Sequence, residues 1–160
     1  MGQVVSRPVI VKLNGGVNGV LVSNGLNSTN DGAALFILNL TTGAVIKKIV
    51  PTGATGNNGL AAPRGWDADG NGTVDYVYAG DLLGNLWKFD LTSSTAASWS
   101  VSNSGSPMFI AKDSLGNRQP ITGSPTVALE PNTFETWVFF GTGRYLEAGD
   151  PARSEERRVG

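Results

Sequence analysis

Leu86-Trp87-Lys88-Phe89-Asp90-Leu91-Thr92 aligns position by position with Leu35-Phe36-Ile37-Leu38-Asn39-Leu40-Thr41, at an offset of 86 − 35 = 51 residues. Both are short apolar runs ending in polar residues, the pattern of a β-strand, and their recurrence at one spacing marks an internal repeat. Upstream, an apolar strand follows a proline at Pro8, Pro63 and Pro125, and a second apolar strand ends in glycine at Gly25, Gly80 and Gly141. The proline-to-glycine distances are 25 − 8 = 17, 80 − 63 = 17 and 141 − 125 = 16. In the first unit Thr42-Gly43 turns the chain into a fourth strand, Ala44-Val45-Ile46-Lys47-Lys48-Ile49-Val50. Four antiparallel strands in about 55 to 62 residues make a β-propeller blade with generous loops. The fold expected is all-β, a partial β-propeller of two four-stranded blades plus part of a third. An unrelated set of hairpins in a sandwich is the alternative.

Propellers close with roughly four to eight blades, and an open fragment exposes sheet edges that invite aggregation. Residues 1–152 therefore read as a fragment of a propeller domain cut from a longer protein. Residues 153–160 read as a non-native tail: they hold three of the seven arginines and resemble a translated sequencing-library adapter. Met1-Gly2-Gln3-Val4-Val5 lacks the charged and apolar regions of a signal peptide, so any targeting segment is expected outside this chain.

Twelve basic against 13 acidic residues give a net charge of −1, which supplies no positive field for nucleic acid or anionic lipid. No apolar run is long enough to span a membrane. Cysteine and histidine are absent, which removes thiolate and imidazole metal sites, Cys or Ser/His nucleophilic catalysis and disulfides. The chain is expected not to be an enzyme.

The chemistry sits between the first two strands of the second unit, in Asp67-Ala68-Asp69-Gly70-Asn71-Gly72-Thr73-Val74-Asp75. Oxygen-bearing side chains recur at every second position. Ca²⁺ takes six to eight oxygen ligands, and the EF-hand loop supplies them from positions 1, 3, 5, 7 and 9 with glycine at 6. Counting from Asp67 puts Asp69 at 3, Asn71 at 5, Gly72 at 6, Thr73 at 7 through its carbonyl, and Asp75 at 9. Position 12 is Tyr78 and not glutamate, so Asp75 must close the site and no EF-hand helix pair follows. The metal ligands expected are Asp67, Asp69, Asn71, Thr73 and Asp75, and the cofactor Ca²⁺; an Asx-turn-rich loop without metal is the alternative. The corresponding loops, Lys12 to Gly19 and Glu130 to Glu135, lack the acidic ladder, so the site belongs to one blade. Asp81 and Asp90 are expected to hydrogen-bond turns and strand ends. Trp66, Trp87, Trp99 and Trp137 are expected to pack between sheets.

The stretch from Trp66 to Leu91 resembles the C-terminal propeller of the PilC/PilY family of type IV pilus biogenesis factors and tip-associated adhesins, most specifically in its acidic loop, Tyr78-Ala79-Gly80-Asp81-Leu82 and Asn85-Leu86-Trp87-Lys88-Phe89-Asp90-Leu91. Gly25-Leu26-Asn27-Ser28, Leu35-Phe36-Ile37-Leu38 and Phe139-Phe140-Gly141-Thr142-Gly143-Arg144-Tyr145-Leu146 look like the same domain in the same order, over about residues 7–150. That resemblance implies a protein of the bacterial cell surface, pilus tip, outer membrane or periplasm, whose bound calcium governs pilus extension against retraction. It implies type IV pilus components and a host-surface receptor as partners, and carries the ligand roles to Asp67, Asp69, Asn71, Thr73 and Asp75. The family's amino-terminal adhesive part is missing here. Two alternatives share the blade architecture: a quinoprotein-dehydrogenase-like propeller, and a generic calcium-stabilised extracellular adhesion module.

Overall fold

The computed structural model describes residues 1–4, 6–28 and 32–144; the suggested non-native tail lies outside them. Blade one is a four-stranded antiparallel meander of β1 (Val9–Lys12), β2 (Asn18–Ser23), β3 (Leu35–Asn39) and β4 (Val45–Ile49). The alternation that makes these runs strands also sorts their side chains. Leu21, Leu35 and Ile37 are fully buried on one face, whereas Ile10 on the other is exposed. A register shift between Ile37 and Leu38 explains why β4 alternates only roughly in the sequence.

Blade two contains β5 (Arg64–Trp66), β6 (Tyr76–Gly80), β7 (Asn85–Asp90), β8 (Ser100–Val101) and β9 (Phe109–Ile110), with both β8 and β9 on the free edge of β7. Phe89 faces Val101 and Leu86 faces Phe109. Partners three residues apart on β7 are thus eight apart on the outer strand, so five extra residues bulge out. The outer strand is split in two, and a 3-10 turn, Asn103–Gly105, occupies the bulge. A third unit contributes one hairpin, β10 (Thr126–Leu129) with β11 (Thr136–Phe139). Among the described residues the only helical pieces are two three-residue 3-10 turns, in keeping with an all-β chain whose sheets do not close into a ring.

Blade two is buried on both sides. Val77, Ala79, Trp87 and Phe89 join Leu13, Leu21, Leu35 and Ile37 in the main core between blades one and two. Leu86 packs with Ala111 and Ile121, against Val138 and Phe140, toward the third unit. Each fully buried large side chain contributes about 1.5–3 kcal/mol. Trp87 and Trp99 are core residues as expected. Trp137 is not: it is 49% exposed and stacks at a tilt on Phe139, because its face of the β10–β11 hairpin looks away from blade two.

The ladder register corrects one expectation. Val9, Arg64 and Thr126, each following its proline, pair with Leu21, Tyr78 and Phe139, so the residue two further on is Ser23, Gly80 or Gly141. Gly25 therefore lies two residues beyond the position that Gly80 and Gly141 occupy. The repeat is real, but the equal spacing in units one and two is a coincidence: the acidic loop makes the second unit's first hairpin longer by two residues.

Candidate metal centre

Residues 67–75 leave β5 and return to β6, and their own side chains hold the loop. Both oxygens of Asp67 accept backbone N–H groups, from Gly70 at 2.8 Å and Gly72 at 2.7 Å. Asp69 accepts from Asn71 N at 3.1 Å and Asn71 Nδ2 at 2.8 Å. Asn71 Oδ1 in turn accepts from Thr73 N at 2.8 Å and from the Thr73 hydroxyl. Gly70 and Gly72 have φ of 78° and 85° with nothing near a built Cβ, so glycine is there for its left-handed backbone and not for space.

Asp75 closes the loop differently. It is buried, its Oδ2 accepts Ala68 N at 2.8 Å, and its Oδ1 accepts Asn14 Nδ2 at 3.0 Å. Asn14 comes from the β1–β2 turn of blade one. Its two Nδ2 hydrogens are shared between Asp75 and the Val74 and Leu91 carbonyls, each at 3.1 Å, and its Oδ1, 2.7 Å from the Thr73 hydroxyl, shares that single proton with Asn71 Oδ1. Val74 N donates to Lys12 O at 2.9 Å, and Val74 forms a parallel bridge with Leu13. The apolar residue in the loop anchors it to the core as its position implies, but the core is shared with blade one.

One oxygen from each of Asp67, Asp69 and Asp75 lies within 4.8 Å of the other two. Uncompensated, three like charges so close repel by on the order of 1 kcal/mol per pair at bulk-water screening, and by more where Asp75 is buried. Burial raises the Asp67 pKa, but the N–H groups of Gly72, Gly70 and Asn71 and the Asp69 side chain outweigh it and hold the carboxyl below 3.8. Of the expected ligands, the structure groups these three carboxylates; Asn71 and Thr73 lie between Asp69 and Asp75 along the chain, with Asn71 Oδ1 turned onto Thr73. The three carboxylates are hard oxygen donors with lone pairs beyond those used in the loop, whereas Asn71 Oδ1 already accepts twice from Thr73. The set therefore fits a Ca²⁺-type ion and gives no soft or imidazole ligand.

The other acidic residues play the parts expected. Asp90 Oδ1 accepts Thr92 N at 2.9 Å and the Thr92 hydroxyl at 2.7 Å, capping the end of β7. Asp81 is fully buried beyond the other end of β6. Its carboxylate accepts from Asn85 N, Asn85 Nδ2, Asn58 Nδ2 and Trp87 Nε1 at 2.8–3.0 Å. In the third unit, the Glu130 carboxyl holds the first loop through Asn132 and Thr133, and no group of three acidic side chains gathers there among the described residues.

A family model described as the PilY1 beta-propeller domain matches residues 1–159. The chain belongs to the PilY1 β-propeller family. It is 40% identical over 176 residues to a type IV pilus biogenesis factor PilY1 of Pseudomonas aeruginosa, covering 99% of this chain and 15% of that protein. It is 41% identical over 155 residues to a PilY1 homolog of Xylella fastidiosa, covering 97% of this chain and 12% of the relative. The crystal structure of the Pseudomonas aeruginosa PilY1 C-terminal domain superposes with a TM-score of 0.86 at 40% identity, over 94% of this chain and 34% of that one. The chain thus spans a small part of the curated relatives it matches. Within this PilY1-family segment, the site residue that sequence reading misses is Asn14: its turn, Asn14-Gly15-Gly16, carries no ligand pattern, and only the packing of blade one on blade two brings it to Asp75.

Proposed function

We propose that this chain is a calcium-binding segment of a type IV pilus biogenesis propeller, acting at the bacterial cell surface, at the pilus tip or in the outer membrane and periplasm. On this reading calcium occupancy biases pilus extension against retraction, the partners are pilus components, and adhesion to a host-surface receptor follows from the tip position. It is a binding module and not an enzyme. The observation that carries it is the gathering of Asp67, Asp69 and Asp75 in a loop already fixed by its own hydrogen bonds. A cation there offsets the repulsion of the three carboxylates. Calcium suits the site better than magnesium, because a chain-built loop does not enforce a compact octahedron.

With three carboxylates and no glutamate at position 12, affinity falls in the range of roughly 10⁻⁶ to 10⁻³ M. At 100 times the dissociation constant, calcium adds about 2.7 kcal/mol of stability. Thermal unfolding with calcium and with chelator tests this. The midpoint rises with calcium in the unaltered protein and in Asp113→Ala, whose carboxylate holds the backbone N–H groups of Leu115 and Asn117 in a separate turn, and the rise is lost in Asp75→Ala. Equal midpoints in calcium and chelator, or a full calcium response in Asp75→Ala, refute the reading. In cells, Asp75→Ala then changes surface piliation, and unchanged piliation refutes the regulatory part.

A further inference from the structure

We propose that Asn14 of blade one is a positioning residue for the cation site carried by blade two, so that an occupied loop clamps the two blades together; this rests on the reading of residues 67–75 as a cation site. The Asp75 carboxylate is fixed at both oxygens, by Ala68 N within its own loop and by Asn14 Nδ2 from the neighbouring sheet. It is also the most buried of the three carboxylates. The direction in which its remaining lone pairs point is therefore set in part by a side chain 61 residues away in sequence.

Asn14 is itself held in place. Its amide meets Val74 O and Leu91 O, its carbonyl oxygen shares the Thr73 hydroxyl with Asn71, and the following residue, Gly15, sits where an added Cβ would lie 2.9 Å from Ser94 O. Leu13, buried beside it, pairs with Val74. The contact thus runs from one turn of blade one to three points of blade two: the loop interior, the start of β6 and the residue after β7. A partner that orients a ligand commonly matters about 10–100-fold in metal affinity. The coupling is reciprocal: whatever docking of the β1–β2 turn adds to cation affinity, the cation returns to docking of the turn.

The test is a calcium titration by calorimetry, with hydrogen exchange measured in calcium and in chelator, on the unaltered protein, Asn14→Ala and Thr73→Val. Calcium slows exchange across residues 13–19 of the unaltered protein as well as across 67–75. Asn14→Ala binds about tenfold or more weakly and confines the calcium-dependent protection to 67–75, an effect that a purely structural role, lowering stability equally with and without calcium, does not produce. If the unaltered protein does not respond to calcium, the cation reading falls and this inference with it. If it responds but Asn14→Ala keeps full affinity, or residues 13–19 gain no protection, the clamp alone is overturned. Should Asn14→Ala fail to fold, exchange on the unaltered protein decides the matter by the same criterion, together with exchange in Thr73→Val. The Thr73 hydroxyl contacts both Asn14 and Asn71, so only loss of calcium-dependent protection across residues 13–19 in that variant, and not its affinity, supports the clamp, and retained protection there overturns it.

Discussion

Replacing Asp81 with asparagine exchanges one carboxylate oxygen for an NH₂ group in a site where every described side-chain contact is a donor. Oδ2 accepts Asn58 Nδ2, Asn85 Nδ2 and Trp87 Nε1, and Oδ1 accepts Asn85 N. If the new amide takes the Oδ2 place it faces three donors. If it takes the Oδ1 place it faces one, the backbone N–H of Asn85, which is the lesser loss. Hydrogen bonds to a charged group are worth about 1.5–3 kcal/mol, and a buried donor left unmade costs about 1–3 kcal/mol. One broken bond and three weakened ones therefore come to about 2–3 kcal/mol, or a fall in midpoint of about 5–10 °C. Blade one supplies the internal control. Asn24 stands at the position equivalent to Asp81, one residue after the strand position that pairs with Leu35 or Leu86. There Asn24 Oδ1 accepts Ala34 N and Leu60 N, each at 2.9 Å, while Nδ2 donates to Gly32 O at 2.7 Å. An acceptor among the neighbours calls for an amide, so Asn24→Asp also destabilises, by setting a carboxylate against that carbonyl. Urea and thermal unfolding at neutral pH measure both. Stability of Asp81→Asn within about 0.5 kcal/mol of the unaltered protein, the range of ordinary surface changes, refutes the reasoning.

Gly80 is a packing glycine: a Cβ there would meet Ile121 Cγ2 at 2.2 Å and Ile121 O at 2.7 Å, so Gly80→Ala pushes blade two away from the third unit and costs about 1–3 kcal/mol. Gly123→Ala, with nothing within 4 Å, is the control, and equal stability of the two variants by urea unfolding contradicts the packing account. Burial and the neighbouring Tyr76 push the Tyr78 phenol up to about 12, above the ordinary 10.0. A raised pKa in the fold means a stability contribution that is complete below pH 10.0 and lost as pH rises toward about 12, so tyrosinate absorbance shows a delayed phase that Tyr78→Phe removes. If all the tyrosines ionise together near pH 10, that burial is wrong. For Asp67 the sign is opposite: its depressed pKa leaves the loop's contribution intact at pH values above 3.8 and lost as pH falls through the lower folded value. Carboxyl chemical shifts followed by NMR in acid, with Asp67→Asn for assignment, give the midpoint; an Asp67 midpoint above 3.8 contradicts the backbone N–H cradle.

The inner strands were legible because their periodicity and their burial have the same cause. Leu35 and Ile37 alternate with partly exposed neighbours, and the run from Leu86 to Phe89 is nearly all apolar because blade two is covered on both faces. The outer strand of blade two was illegible: β8 and β9 are two residues each, and neither Ser100–Val101 nor Phe109–Ile110 is long enough to show alternation. The acidic loop announced its own residues, since alternate spacing is a property of nine consecutive positions. Asn14 could not be found that way, because its role depends on which turn of one sheet meets which loop of the next. The differing identities of Asn24 and Asp81 have the same origin: donors and acceptors arriving from elsewhere in the chain decide between amide and carboxylate.

The split outer strand has a consequence for company. A continuous outer edge is a template on which a second extended chain can lay down a full ladder, and at high concentration such pairing leads to aggregation. Here the edge turns away after two residues, passes through Asn103–Gly105 and resumes for two more. Along blade two a visiting strand finds no run on which to nucleate, so the five bulged residues shield that edge, whereas β4 of blade one keeps an unbroken one.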